Sequence, residues 1–178
     1  MRAGAPRQIG VISDTHGLMR PEALDALRGV DQIIHAGDVG TGDILNQLER
    51  IAPVIVVRGN VDVEELPLTA KVELGERKIF VVHIREDLQF DPKVAGYSAV
   101  IFGHTHKPLI EEREGVLYLN PGSAGPRRFD LKPSVALLTA DAKDCTRRSS
   151  RSRSPVQKLD PAPGGRVHAG HGSLGRHH

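Results

Sequence analysis

Short apolar, β-branched runs recur along this chain, and nearly every early one stops abruptly at a polar cluster. The runs are Gln8 to Ile12, Gln32 to Ile34, Pro53 to Val57, Ile79 to Val82, Ala99 to Phe102, Val116 to Leu119 and Val135 to Leu138, each of strand length. Helical patterns separate the first three. Pro21 suits a first helical turn ahead of Glu22-Ala23-Leu24-Asp25-Ala26-Leu27, where Leu24 and Leu27 share a face and Gly29 follows the end. Thr41-Gly42-Asp43 then precedes Ile44, Leu45 and Leu48. Strand, helix, strand, helix, strand at this spacing predicts a parallel sheet with crossover helices. From Thr69 onward the strands come closer together, with Gly75, Gly103 and Gly115 at turns. The second half therefore reads as more antiparallel, and the whole as a mixed α/β sandwich.

The polar clusters are Ser13-Asp14-Thr15-His16-Gly17, His35-Ala36-Gly37-Asp38, Arg58-Gly59-Asn60-Val61-Asp62, His83, and Gly103-His104-Thr105-His106. In an open α/β sheet, ligands bind beyond the carboxyl ends of the strands, so segments far apart in sequence would deliver these groups to one crevice. Asp14 and His16, like His104 and His106, are two residues apart, which points each pair one way if strand geometry persists through it. Imidazole nitrogens with carboxylate and amide oxygens, and no thiolate, suit Mn, Fe, Zn or Ni. The number of donors exceeds one tetrahedral site and fills two larger ones if a carboxylate bridges. Singly, Asp-x-His, Gly-Asp and Gly-Asn are common turn sequences; His-x-His is the stronger signal. His35, with no second polar neighbour two residues away, is expected to be either a satisfied core histidine or one that supports the ligands from behind, and not itself a ligand.

The ordered set Asp14-x-His16, Gly37-Asp38, Gly59-Asn60-x-Asp62, His83, Gly103-His104-Thr105-His106 resembles the calcineurin-like metallophosphoesterase superfamily. Within it, the chain is similar to the small single-domain bacterial and archaeal phosphodiesterases, including their Asn120-Pro121-Gly122-Ser123 stretch, over about Gln8 to Ala140. The resemblance implies a four-layer αββα sandwich of two mixed sheets flanked by helices, with a dinuclear site. It implies that Asp14, His16 and His106 hold one divalent ion and Asn60, His83 and His104 the other, with Asp38 bridging and Mn the leading metal. Asp38, Asn60 and His104 are thereby the expected catalytic residues. The implied reaction is hydrolysis of small phosphodiesters, a hydroxide bridging the ions attacking phosphorus in line. Two departures stand out. Val61 follows Asn60 where many members carry a His that protonates the leaving group, which predicts slow turnover and activated esters. Ile84-Arg85-Glu86 follows His83 where relatives commonly show Gly-His or Gly-Asp. Arg127 and Arg128 are candidate substrate-phosphate contacts, with Lys107 equally placed beside His106. The same fold also occurs in a eukaryotic retromer subunit that serves protein assembly, so a metal-holding scaffold is the alternative function.

Composition narrows the setting. The chain has 178 residues, one Cys and no Trp, enough to bury roughly 70% of its unfolded surface in a Val, Ile and Leu core. Cys145 has no partner for an internal disulfide, and the first thirty residues contain no long apolar run, so a cytoplasmic protein without a membrane segment is expected. Cut after Ala142, the body carries 16 basic and 20 acidic residues and the remainder 8 basic and 2 acidic ones. An acidic body argues against long nucleic acid as substrate; only the Arg/Ser/Gly/His-rich tail has the charge to hold RNA. The expected organisation is a domain over 1–142 and a disordered tail over 143–178, with no further strand in it. Self-association is open.

Overall fold

A computed structural model describes residues 7–63, 65–128, 130–140 and 157–159. The elements are β1 (Arg7–Ile12), α1 (Pro21–Ala26), β2 (Gln32–His35), α2 (Gly42–Glu49), β3 (Val54–Val56), β4 (Thr69–Leu74), β5 (Arg77–Val82), a 3-10 turn (Arg85–Asp87), β6 (Ala99–Ile101), β7 (Leu109–Arg113), β8 (Val116–Asn120), β9 (Ser134–Ala140) and β10 (Gln157–Leu159). They form two five-stranded sheets, ordered β10-β9-β1-β2-β3 and β4-β5-β6-β8-β7.

Period-2 alternation explains why the sheets face each other. Ile9 and Val11 of β1, Ile34 of β2, and Ala136 and Leu138 of β9 point to the space between the sheets, where they meet Val72, Ile79, Val81, Ile101 and Leu119. Their neighbours Ile12, Ile33 and Val135 point the other way, onto Ala23 and Leu27 of the first helical segment and Ile44 and Leu48 of α2. Gly10 lies on that face because a Cβ there would collide with Leu27 Cδ2. On the outer face of the second sheet, Phe80, Val82, Val100 and Phe102 are covered by Leu88 and Tyr97, with Phe90 edge-on to Phe80. The αββα sandwich is thus present, its fourth layer supplied by the 3-10 turn and the loop that follows.

The first sheet has the expected parallel pairs β1 with β2 and β2 with β3. The second half is more antiparallel, as expected: the edge strands β4 and β7 run antiparallel to β5 and β8, and β9 to β1, while β5, β6 and β8 are parallel to one another. The edges β4 and β7 are half-exposed, so β4 alternates Ala70, Val72 and Leu74 with Thr69, Lys71 and Glu73, and β7 has only Leu109 and Ile110 ahead of Glu111, Glu112 and Arg113. One correction concerns the C-terminal part: Gln157–Leu159 pair in parallel with β9, although no further strand was expected there. The expectation that 143–178 is disordered otherwise falls outside the described residues. Among the described residues, no helix is long and apolar enough to cross a membrane.

Candidate metal centre

All five polar clusters lie where the crevice argument places them, at the carboxyl ends of β1, β2, β3, β5 and β6. Backbone bonds fix the first two loops against each other: Asp14 N–H to Gly37 O (3.0 Å), His16 N–H to Asp38 O (3.0 Å) and Gly17 N–H to Val39 O (2.9 Å). Strand geometry does not persist through the Asp-x-His and His-x-His pairs. Asp14, His16, Asp38, His104 and His106 have φ of 55°, 46°, 55°, 69° and 61°, all left-handed. Asp and His tolerate this region better than most residues, and its concentration here marks a site held under strain. The only other such residue among those described, Glu114, sits with Gly115 in the two-residue turn joining β7 to β8, where both central residues need positive φ.

Two groups of side chains result. In the first, ligating atoms of Asp14, His16, Asp38 and His106 all lie within 4.8 Å of one another. His106 Nε2 is 3.3 Å from Asp14 Oδ1 and 3.3 Å from His16 Nε2, and His16 Nε2 is 3.6 Å from Asp38 Oδ2. In the second, His83 Nε2 is 3.3 Å from the same Asp38 Oδ2 and 3.0 Å from Asn60 Oδ1, while His104 Nδ1 is 3.1 Å from Asn60 Oδ1. Asp38 is the shared member. Asn60 and His104 are exposed, so the second group opens to solvent.

The donor atoms fit a cation. His83 Nδ1 donates to Ala36 O at 2.6 Å, so in the neutral ring the Nε2 lone pair faces the oxygens of Asn60 and Asp38. Lone pairs facing lone pairs repel until a positive charge sits between them. Asp14 Oδ2 accepts the Ser13 hydroxyl (2.7 Å) and the His104 N–H (3.2 Å), whereas the buried Oδ1 has no hydrogen-bond partner and points at His106. His106 Nδ1 is likewise buried and unpartnered. An orphaned carboxylate oxygen is costly in a protein interior and ordinary at a metal.

Titration of the metal-free groups reflects the same crowding. Burial raises the pKa of Asp14, against the Ser13 hydrogen bond and the neighbouring imidazoles. For Asp38, burial is outweighed by the Nε2–H that His83 carries once its ring is protonated and by the Val61 N–H, which hold the carboxyl down to about 2. Burial disfavours the charged form of His83, but Asp38 and the Ala36 carbonyl prevail and raise its pKa. His106 is lowered, first by burial and, against the pull of Asp14, by the positive charge of Arg128.

His35 is the satisfied core histidine the sequence suggested. It is wholly buried; Gly37 N–H donates to its Nδ1 (3.1 Å) and its Nε2 meets Thr15 Oγ1 (3.0 Å), whose hydroxyl donates to Val39 O (2.8 Å). Sequence reasoning left Asp62 without a role. Its buried carboxylate accepts the N–H groups of Asp38 (3.0 Å), Val39 (2.8 Å), Gly40 (3.2 Å) and Gly59 (2.8 Å), tying the Asp38 loop to the Asn60 loop. Its place two residues after Asn60 was the available signal. Gly59 is required beneath it, since a Cβ there would strike Asp38. Arg127, Arg128 and Lys107 are exposed, and of these only Arg128 acts on a site residue through its charge. Ile84 is half-buried and leaves His83 in its group.

Comparison with known proteins agrees with this geometry. Residues 8–143 match the Calcineurin-like phosphoesterase superfamily domain. A probable metallophosphoesterase of Methanothermobacter thermautotrophicus is 39% identical over 164 residues, covering 83% of this chain and 94% of the relative. Phosphodiesterase YfcE of Escherichia coli K12 is 30% identical, with 72% and 85% covered. Among solved structures, wild-type Vps29 of Entamoeba histolytica complexed with zinc superposes with a TM-score of 0.65 at 27% identity, over 77% of this chain and 88% of that one. With the ordered motifs, the sandwich and the paired donor groups in agreement, the chain belongs to the calcineurin-like phosphoesterase superfamily.

Proposed function

We propose that the chain is a cytoplasmic metal-dependent phosphodiesterase acting on small phosphodiesters, with two divalent cations, Mn foremost and Fe, Ni or Zn compatible with the same donors. The observation that carries this reading is the pair of donor groups meeting at Asp38 Oδ2, one of Asp14, His16 and His106, the other of Asn60, His83 and His104. Cations held there supply charge neutralisation at phosphorus and a nucleophilic oxygen at neutral pH. Asp38 stays ionised throughout the neutral range, because His83 and the Val61 N–H hold its pKa near 2. Asn60 and His104 stand on the exposed rim, where a phosphoryl oxygen arrives from solvent. Arg128 adds positive charge on the His106 side, and Arg127 next to it is the second candidate for a substrate phosphate.

Val61 places no proton donor beside the leaving group: its backbone N–H donates to Asp38 Oδ1 at 3.0 Å and its aliphatic side chain is exposed. General-acid help is worth about 10² to 10⁴-fold, so esters whose leaving groups depart unaided are the favoured substrates. The test is hydrolysis of bis-p-nitrophenyl phosphate beside the monoester by chelator-stripped protein with and without Mn. Preferential, Mn-requiring diester hydrolysis that collapses in Asp38→Asn is expected. The likeness to Vps29 favours a second reading, a metal-holding scaffold for protein assembly. Full metal occupancy without turnover would put that reading first.

A further inference from the structure

The Asn120-Pro121-Gly122-Ser123 stretch supplies none of the seven donor side chains, yet it begins at the end of β8, hydrogen-bonded to the His104-Thr105-His106 loop. Asn120 is fully buried and its amide is fully engaged. Nδ2 donates to Gly103 O (2.9 Å) and to Thr105 Oγ1 (3.0 Å), and Oδ1 accepts the Gly122 N–H (2.9 Å). Its two acceptors flank His104. Thr105 N–H also donates to Gly103 O (2.8 Å), closing a three-residue turn about His104 at φ 69°, the rare and strained hand of the γ-turn. His106, at φ 61°, comes two residues later. The same stretch reaches the opposite loop, through Ser123 Oγ to Asp14 O (3.0 Å) and Ala124 N–H to Ser13 O (3.0 Å).

We propose that Asn120 is a positioning residue for one ligand of each metal ion, holding His104 and His106 in left-handed conformations and so setting the affinity of both ions together. The inference rests on the dinuclear reading above. His106 belongs with Asp14 and His16 and His104 with Asn60 and His83, so removing either histidine disturbs one group, whereas loosening the turn between them disturbs both.

The experiment is a calorimetric Mn titration of the chelator-stripped full chain, wild type against Asn120→Ala, Asn120→Asp and Thr105→Val. Asn120→Asp keeps the size and the acceptor for Gly122 but loses both donated bonds. Thr105→Val removes one acceptor at an exposed position. The Asn120 variants are expected to weaken both ions about 10- to 100-fold, the usual cost of losing a group that orients metal ligands, and Thr105→Val both ions by less. At saturating Mn, kcat for the diester should recover while the Mn requirement stays raised. Wild-type Mn isotherms in folded variants, or weakening of a single ion, would overturn the proposal. If Asn120→Ala does not fold, unchanged Mn affinity in Thr105→Val overturns it alone. The wild-type arm separates the two readings: no Mn uptake sinks the dinuclear site and this proposal with it, whereas uptake without hydrolysis sinks only the phosphodiesterase.

Discussion

Residue types alone announced the metal chemistry, because a solvated loop has no reason to collect Asp, His and Asn at one strand end after another. What they did not announce was backbone conformation: the i, i+2 spacing suggested extended pairs, and the chain instead uses left-handed residues to turn the same side chains inward. His35 was legible as a supporting residue, and it carries a pH dependence. Burial, against the pull of the Asp62 carboxylate, pushes its pKa down from 6.5 to about 4, so the unfolded chain binds a proton there that the native chain refuses. Its contribution to stability is therefore fully present above pH 6.5 and lost as the pH falls toward 4, about 3 kcal/mol in all. In urea unfolding of metal-free protein, the advantage of wild type over His35→Gln should shrink by about that amount between pH 7.5 and pH 4; a constant difference would contradict the assignment. At Val61, the side chain is exposed at the position where the family resemblance implies a proton-donating His. Val61→His should raise kcat on diesters with basic leaving groups by about 100-fold, at the low end of what general-acid help provides, and flatten the dependence of rate on leaving-group pKa.

Elements were legible where both faces are buried and obscure where one is not. β1, β2, β5 and β9 contain continuous apolar stretches because helices or loops cover one face and the opposite sheet the other. β4 and β7 are edge strands, the first alternating apolar with polar residues and the second passing from Leu109-Ile110 to Glu111-Glu112-Arg113, and β10 contributes only three residues to the first sheet. The packing of α1 on β1 depends on Gly10. Gly10→Ala should destabilise the chain by about 1–3 kcal/mol through overpacking against Leu27, read as a lower urea midpoint at unchanged slope. Asp62 acts between elements, linking the loops after β2 and β3. Asp62→Ala strips four N–H groups of their acceptor and should cost at least about 2 kcal/mol and abolish Mn binding. Asp62→Asn, which keeps one acceptor oxygen, should lose less in both measurements.

At the scale of the whole molecule, the crevice is a product of topology, since no two of the five loops are adjacent in both sequence and sheet without help from a crossover. The parallel order of β1, β2 and β3 and of β5 and β6 points all five carboxyl ends one way, and face-to-face packing of the sheets closes the distance between Asp14 and His106 to a few ångströms. The sequence displayed that convergence as an ordered set of motifs; it did not display Asp62, Asn120 and Thr15 as the side chains that join the loops, because each looks like an ordinary turn or strand-end residue. Truncation after Ala142 removes β10 but no donor, so the shortened chain should bind Mn as before while self-associating more readily through the uncovered edge of β9, visible by sedimentation. The central claim is that one carboxylate, Asp38, joins two ions. Electron paramagnetic resonance during Mn titration of the stripped full chain addresses it most directly. Two equivalents per chain with the spectrum of an exchange-coupled pair, lost in Asp38→Asn, are expected; a single equivalent, or two giving only the six-line spectrum of isolated Mn, would contradict the account.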